Sequence, residues 1–206
     1  METKPVLTGQ VVILEPLEMR HAEGLISAVS PDLSLYQWSP VPQGKEEVHE
    51  YINTAAAWRD DGSALPFAII RRSDSRIVGS TRIFNIERWA WPRNHDRHRR
   101  GFPDACEIGY TWLHSSAIRT GVNTEAKLLL LKLAFEQWKA LRVCLHTDVR
   151  NARSRKAIER IGGKMEGILR AHRLAADFKP RDSARFSILE QEWPVTKARL
   201  ESFLNR

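Results

Sequence analysis

Residues Glu107 to Phe135 read EIGYTWLHSSAIRTGVNTEAKLLLLKLAF, and the fold is decided there. Glu107–Leu113 is rich in β-branched and aromatic residues, which favours a strand. Thr124–Phe135 is built from strong helix formers and is too apolar for a surface helix, so a largely buried helix is expected. The loop between them carries Arg119, Thr120 and Gly121, and Asn123 is expected to cap the helix. A helix N-terminus offers unpaired N–H groups and the positive end of the dipole, which suits a phosphate. Glycine at 121 would let an anion come close to the backbone. The stretch is therefore a candidate phosphate cradle, although it is not a Walker motif and contains no GxGxxG.

Outward from it, Gln10–Glu15 reads as a first strand, Glu18–Val29 as a helix and Lys45–Asp60 as a second helix. Leu65–Arg71 and Arg76–Phe84 form a hairpin. Arg142–Asp148 is a strand and Ala152–Ile161 a short helix closed by Gly162-Gly163. Lys164–Leu174 and Ser183–Glu190 make a second hairpin before a helix at Glu192–Leu204. The order β-α-α-β-β-β-α-β-α-β-β-α is mixed α/β around one sheet, a single domain over 1–206 with an inserted loop at about 88–105.

The net charge of +7 over 206 residues implies an anionic partner, either nucleic acid or a phosphorylated cofactor. Cys106 and Cys144 lack metal-ligand spacing and read as buried thiols in a reducing cytoplasm. No run is apolar enough to span a bilayer, and METKPVLTGQ lacks a signal-peptide core, so a cytoplasmic location is expected. A homodimer is compatible with the sequence but leaves no signature in it.

The order of elements, with its cradle, resembles the GNAT superfamily of acetyl-CoA-dependent N-acetyltransferases, most of all the ribosomal-protein (RimJ/RimL-type) branch. The motifs that carry the likeness are EIGYTWL with its loop and NTEAKLLLLKLAFE, then DVRNARS at Asp148–Ser154 with Gly162-Gly163 after it. EGILR at Glu166–Arg170, Arg181-Asp182 and FSILEQEW at Phe186–Trp193 complete it. The resemblance implies a central, mostly antiparallel sheet with a parallel pair at the cofactor site, flanked by helices. It also implies acetyl-CoA as co-substrate and no metal. Two departures stand out. The family's Gln/Arg-x-x-Gly-x-Gly/Ala cradle falls on Ile118, Gly121 and Asn123, and only Gly121 matches. The tyrosine that many relatives carry seven residues after the motif asparagine is Ile158 here.

Acetyl transfer to an ammonium needs a base. Glu107, fourteen residues before Gly121, lies where the family can place one, and partial burial between Cys106 and Ile108 would make it a stronger base. The bland alternative is a salt-bridged strand-end carboxylate. The resemblance assigns the pantetheine arm and thioester carbonyl to backbone groups of Trp112, Leu113 and His114. It assigns the pyrophosphate to N–H groups of Arg119, Thr120, Gly121, Val122, Asn123 and Thr124, with Glu125 pointing away. Asn151 would contact the pantetheine arm and Ser154 would protonate the leaving thiolate, against the plain reading that both merely start a helix.

Tyr36 and Trp38 lie where the superfamily builds an acceptor wall, while Trp58 and Trp138 read as packing residues. The segment RWAWPRNHDRHRRGFPDA, with Trp89 and Trp91 among its cations, reads as an acceptor lid, as solvated chain or as a nucleic-acid contact. The spacing of His95 and His98 is not completed to a zinc set. The expected acceptor is the primary amine of a small molecule, with an aminoglycoside as one specific case and Glu87, Asp96, Asp104 and Asp182 as the carboxylates available to hold it. The alternatives are a protein N-terminus, perhaps ribosomal in the sense of the resembling branch, and a non-catalytic RNA-binding module, nucleic acid being the weaker expectation.

Overall fold

The computed structural model describes residues 5–205; the start of METKPVLTGQ lies outside the described residues. Strands β1 (Leu7–Thr8) and β2 (Val12–Pro16) lead through a tight turn at Met19–His21 into helix α1 (Ala22–Ala28). Helix α2 (Gly44–Asp60) precedes the long hairpin of β3 (Ala64–Arg71) and β4 (Arg76–Glu87). Then come β5 (Ala105–Leu113), α3 (Gly121–Lys132), β6 (Arg142–Asp148) and α4 (Ala152–Arg160). A π-helical turn, Leu133–Gln137, prolongs α3. The hairpin β7 (Lys164–Leu174) and β8 (Pro180–Leu189) and helix α5 (Trp193–Leu204) close the chain.

The eight strands form one sheet in the order β1-β2-β3-β4-β5-β6-β8-β7. Every pairing is antiparallel except that of β5 with β6. That parallel pair is short: Ala105 faces Arg142, Cys106 faces Val143, Glu107 faces Cys144, and the register ends there. Beyond Glu107 the two strands part, leaving an opening in mid-sheet. A bulge in β5 sits just past it. Tyr110 takes a φ of +51°, and a side chain on Gly109 would stand 2.9 Å from the Phe84 ring, so only glycine fits there.

Strand alternation sends Cys106, Ile108 and Leu113 into the larger core beneath α3 and α5, with Leu130, Leu131 and Phe186. Trp112 goes to the other face, into a second core with Leu17, Tyr36 and Ile52 beneath α1 and α2. The fourth helix adds Ile158 and Ile161 to the α3 side. The position of the family tyrosine is thus occupied by a core residue. Both cysteines are buried and unpaired.

The helix after the cradle begins earlier than the sequence suggests. Thr120, not Asn123, is the N-cap: its hydroxyl accepts from Val122 N–H at 3.3 Å and donates to the Ala117 carbonyl at 2.7 Å. Arg119 turns the chain into the helix with a φ of +62°, and Asn123 becomes an ordinary first-turn residue. A threonine one residue before glycine caps as well as an asparagine inside a run of helix formers, and the loop geometry chose it.

The segment between β4 and β5 is held by bonds of its own and by anchors elsewhere in the chain. Asp104 accepts from Trp89 N–H at 2.8 Å and from Trp91 Nε1 at 2.9 Å, and Trp91 stacks on His95 at 4.2 Å. Arg97 donates to the Lys139 carbonyl and Arg100 to that of Trp138, fastening the loop to the chain just beyond α3, at the end of that helix opposite its cradle.

Candidate active site

Two hollows bear on the site. The first, of about 510 Å³, is lined by Gln10, Val11, Arg71, Arg72, Ser73, Thr120 and Val122. It brings two arginines of the β3–β4 turn to the N-terminus of α3, where dipole and first-turn N–H groups favour an anion. Gly121 is not demanded by the fold, since a side chain there would meet only Leu204 at 3.4 Å and Val11 at 3.5 Å. Glu125 is buried and accepts from Gln10, Val11 and Val12 N–H at 2.8, 2.6 and 2.7 Å, tying β2 to α3 beside two residues that line the hollow.

At the end of β5, Trp112 and His114 turn their backbones toward β4. His114 N–H donates to the Val78 carbonyl at 2.8 Å, so it is already spent, and Trp112 C=O packs directly against Gly79. Leu113, between them, therefore faces the opening. Its carbonyl accepts from Tyr36 Oη at 3.0 Å, and the same phenol accepts from Ser30 N–H at 3.0 Å. Burial raises the Tyr36 phenol above its ordinary value, so it stays a donor. Tyr36 is thus a buried brace against Trp112, edge to face at 6.4 Å, and not an exposed acceptor wall. Trp38 lies under the Arg150 guanidinium at 4.5 Å, while Arg150 grips Asp148 through Nε and Nη2 and holds its carboxyl below the usual range.

Asn151 caps α4, its Oδ1 accepting from Ser154 N–H at 3.0 Å, so the helix-start reading describes what these two residues do within the protein. Asn151 is buried and Ser154 half-buried. Arg153 is held by the Leu35 carbonyl at 2.7 Å, which joins α4 to the Tyr36 segment.

The second hollow, of about 480 Å³, lies on the α2 face and is lined by Trp58, Ser63, Phe84, Asn85, Ile86, Glu87, Tyr110 and Arg173. Trp58 is consequently more than a packing residue; Trp138 is one, buried in the main core. Trp58, Tyr51 and Tyr110 surround the guanidinium of Arg82 at 5.1, 4.3 and 4.6 Å, and Arg82 itself is buried.

Glu107 sits behind this hollow, where β5 and β6 part. It is as buried as the sequence suggests, but it is not isolated. Oε2 accepts from Asn85 Nδ2 at 2.9 Å and from Arg173 Nη2 at 3.2 Å, and Oε1 lies 2.9 Å from His146 Nδ1. The His146 ring is 4.9 Å from that of His172. A carboxylate, two imidazoles and a guanidinium from β5, β6 and β7 thus meet beside an apolar cleft.

Among the other expected acceptor contacts, Trp89 reaches the cleft only through its bond to Glu87 at 3.1 Å, and Trp91 is spent inside its own loop. Asp182 accepts from Ala171 N–H at 2.8 Å, where it supports a bulge of the β7–β8 hairpin. Neither Trp91 nor Asp182 borders the hollow.

The profile of the acetyltransferase (GNAT) domain matches residues 12–164. The chain belongs to the GNAT acetyltransferase family. Among its relatives is YjcK of Bacillus subtilis (strain 168), described as a probable N-acetyltransferase. It is 25% identical over 174 residues, which cover 80% of this chain and 87% of that one. A crystal structure of a GCN5-related N-acetyltransferase from Brucella melitensis superposes with a TM-score of 0.81 at 26% identity, covering 98% of this chain and 88% of that one. Mycobacterium smegmatis RimJ, solved in complex with CoA-disulfide, gives a TM-score of 0.74 at 25% identity over 97% of this chain and 91% of that one.

GNAT enzymes use acetyl-CoA, and the residues present fit it. The arginine-lined hollow meets a helix N-terminus, and the β5–β6 opening presents Leu113 toward the gap. In this GNAT member the mixed sheet with its one parallel pair agrees with the expected architecture. What the sequence did not show is the company around Glu107. Asn85, His146, His172 and Arg173 lie on three other strands, and Trp58, Phe84 and Tyr110 line the cleft, with Arg82 buried against Trp58 and Tyr110. The one signal for His146 was period-two alternation, which puts it on the same face as Cys144 and Asp148.

Proposed function

We propose that the protein transfers the acetyl group of acetyl-CoA directly to the primary amine of a small molecule carrying a single positive charge and an apolar or aromatic body. The observation that supports this most is the position of Glu107. It is buried at the β5–β6 opening and joined through Asn85 and Arg173 to a cleft walled by Trp58, Phe84 and Tyr110. Acetyl-CoA supplies the activated acyl group. The chain holds it by the α3 N-terminus, Arg71 and Arg72, with Leu113 N–H facing the gap as a donor for the thioester carbonyl. Deprotonation of the amine depends on Glu107 and the groups around it. Ser154, at the start of α4, is the donor assigned to the departing sulfur.

A polycationic acceptor such as an amino sugar is poorly served. Of the four carboxylates available, Asp104 is consumed by Trp89 and Trp91, Asp182 by Ala171, and Asp96 lies against His95. Glu87 alone lines the cleft, facing Arg173. A protein N-terminus is the second reading. It is favoured by the β4–β5 loop, whose Arg97 and Arg100 are fastened to the chain beyond α3.

Thiol release from acetyl-CoA should be followed with aromatic monoamines, short peptides, polyamines and amino sugars. The proposal expects monoamines to turn over best. Preference for peptides would move the assignment to the second reading, and exclusive use of polycations would overturn both.

A further inference from the structure

Resting on this reading of the cleft, we infer that His146 takes the proton from the acceptor amine, and that Glu107 is a positioning residue that orients its imidazole. The first reason is the crowding of Glu107. Donors from Asn85 and Arg173 occupy Oε2, and His146 Nδ1 stands 2.9 Å from Oε1. A carboxylate so surrounded has little open lone-pair space for an incoming ammonium. It is well placed to hold an Nδ1–H, which fixes the tautomer and leaves the Nε2 lone pair as acceptor.

The second reason is the state of His146. Its side chain is 6% exposed; Nδ1 lies against Glu107 Oε1 at 2.9 Å, and Nε2 has no partner among the described residues. A buried ring nitrogen without a partner is costly to keep in a protein interior, and Nε2 is the one left to accept a proton. His146 also lies two residues beyond the last β5–β6 pair, Glu107 with Cys144, at the start of the opening. The backbone position of this imidazole is therefore the one at which β6 leaves β5.

The surroundings suit a base. From β5 it faces Glu107, from β7 His172 and Arg173, from β8 Arg181 and Arg185, and on its own strand Cys144 and Asp148. Burial, with Arg173 and His146 nearby, lowers His172 below the ordinary imidazole value, so at neutral pH it is uncharged. Arg173 is engaged with Glu107 and Arg185 with Glu166, while Arg181 donates to the Trp38 carbonyl at 3.4 Å.

In the reaction the nitrogen–carbon bond to the acetyl group forms and the carbon–sulfur bond breaks. Of the ammonium's three protons, one passes to His146 Nε2 and then to water, one leaves on the thiol and one stays on the amide.

Two measurements test the assignment. Side-chain imidazole NMR of the intact protein should show His146 as the Nδ1–H tautomer with Nε2 unprotonated, and Glu107→Leu, which leaves no acceptor, should abolish that preference. A stable Nε2–H tautomer, or a tautomer indifferent to Glu107→Leu, would overturn it, whether or not an acceptor has been found. With 2-phenylethylamine as acceptor, His146→Gln should lower kcat about 10²-fold at pH 7. The variant should regain most of the rate by pH 10, where the ammonium loses its proton to solvent unaided, with acetyl-CoA binding by calorimetry unchanged. Wild-type kcat and pH profile in His146→Gln, together with a large loss in Glu107→Gln, would return the role of base to Glu107. Failure of the wild-type protein to bind acetyl-CoA would count against the functional reading, while the tautomer result would still stand.

Discussion

Glu125 and Glu107 are equally buried, at 4% exposure, and they do opposite things. Glu125 accepts only from backbone N–H groups, those of Gln10, Val11 and Val12, which cannot rotate away or change charge. Glu107 is held by side chains, Asn85, His146 and Arg173, two of which carry or exchange protons. Burial alone therefore does not mark a functional carboxylate. A buried acid tied to the main chain is a clamp, whereas one tied to rotatable and titratable groups beside a cleft can serve chemistry.

The sharpest test of that contrast is a matched pair of substitutions. Glu107→Gln should lower kcat by roughly 10²–10³-fold, while stability stays within about 1–2 kcal/mol because the amide can still accept and Arg173 reaches solvent. Glu125→Gln should reverse the pattern. With one acceptor oxygen left for three N–H groups, it should cost about 2–4 kcal/mol of stability and leave the turnover of the folded fraction within about threefold. Denaturant melts and thiol-release rates on both proteins would decide it, and a Glu125 variant that keeps its stability but loses turnover would break the comparison.

Lys127 supplies a third case, a buried ion with no counterion. Its ammonium donates to Thr111 Oγ1 at 2.6 Å, and burial lowers its pKa to about 7. An unfolded lysine keeps its proton to about pH 10. Between pH 7 and 10 the unfolded chain therefore binds more protons, and stability rises with pH across that window. Lys127→Met should accordingly stabilise the protein by about 2–3 kcal/mol at pH 7 and below. The advantage should shrink toward zero by pH 10 when melts are repeated along the pH series. An advantage independent of pH would mean that the lysine is charged in the fold.

The smallest effect is expected at the cradle, which resembles the Glu125 clamp in being built from main chain. Asn123→Ala removes a side chain that does not cap the helix, and should change the KM for acetyl-CoA by less than about threefold. Thr120→Ala removes the cap itself and should cost about 1 kcal/mol, read as a shift in the denaturation midpoint. A large KM effect from Asn123 would show that side-chain contacts, not N–H groups, hold the cofactor.

The strand–loop–helix of residues 107–135, and nearly every other element, could be read from the order of residues. Propensity, alternation and breakers act over a few positions. The cradle was legible for the same reason, since N–H direction at a helix start follows from local dihedrals. Even there the cap moved from Asn123 to Thr120, a choice between neighbours that Arg119's left-handed turn settled. The loop at about 88–105 reads as a lid, solvated chain or nucleic-acid contact because its anchors, Trp138 and Lys139, lie some forty residues further along. Glu107 was found as a buried acid, but its partners Asn85 and Arg173 are 22 and 66 residues away. What the sequence determined is a backbone site and one carboxylate. The tertiary structure decided which side chains surround that carboxylate, because the parallel register of β5 and β6, and the point where it ends, depend on packing across the whole sheet and on no local residue pattern.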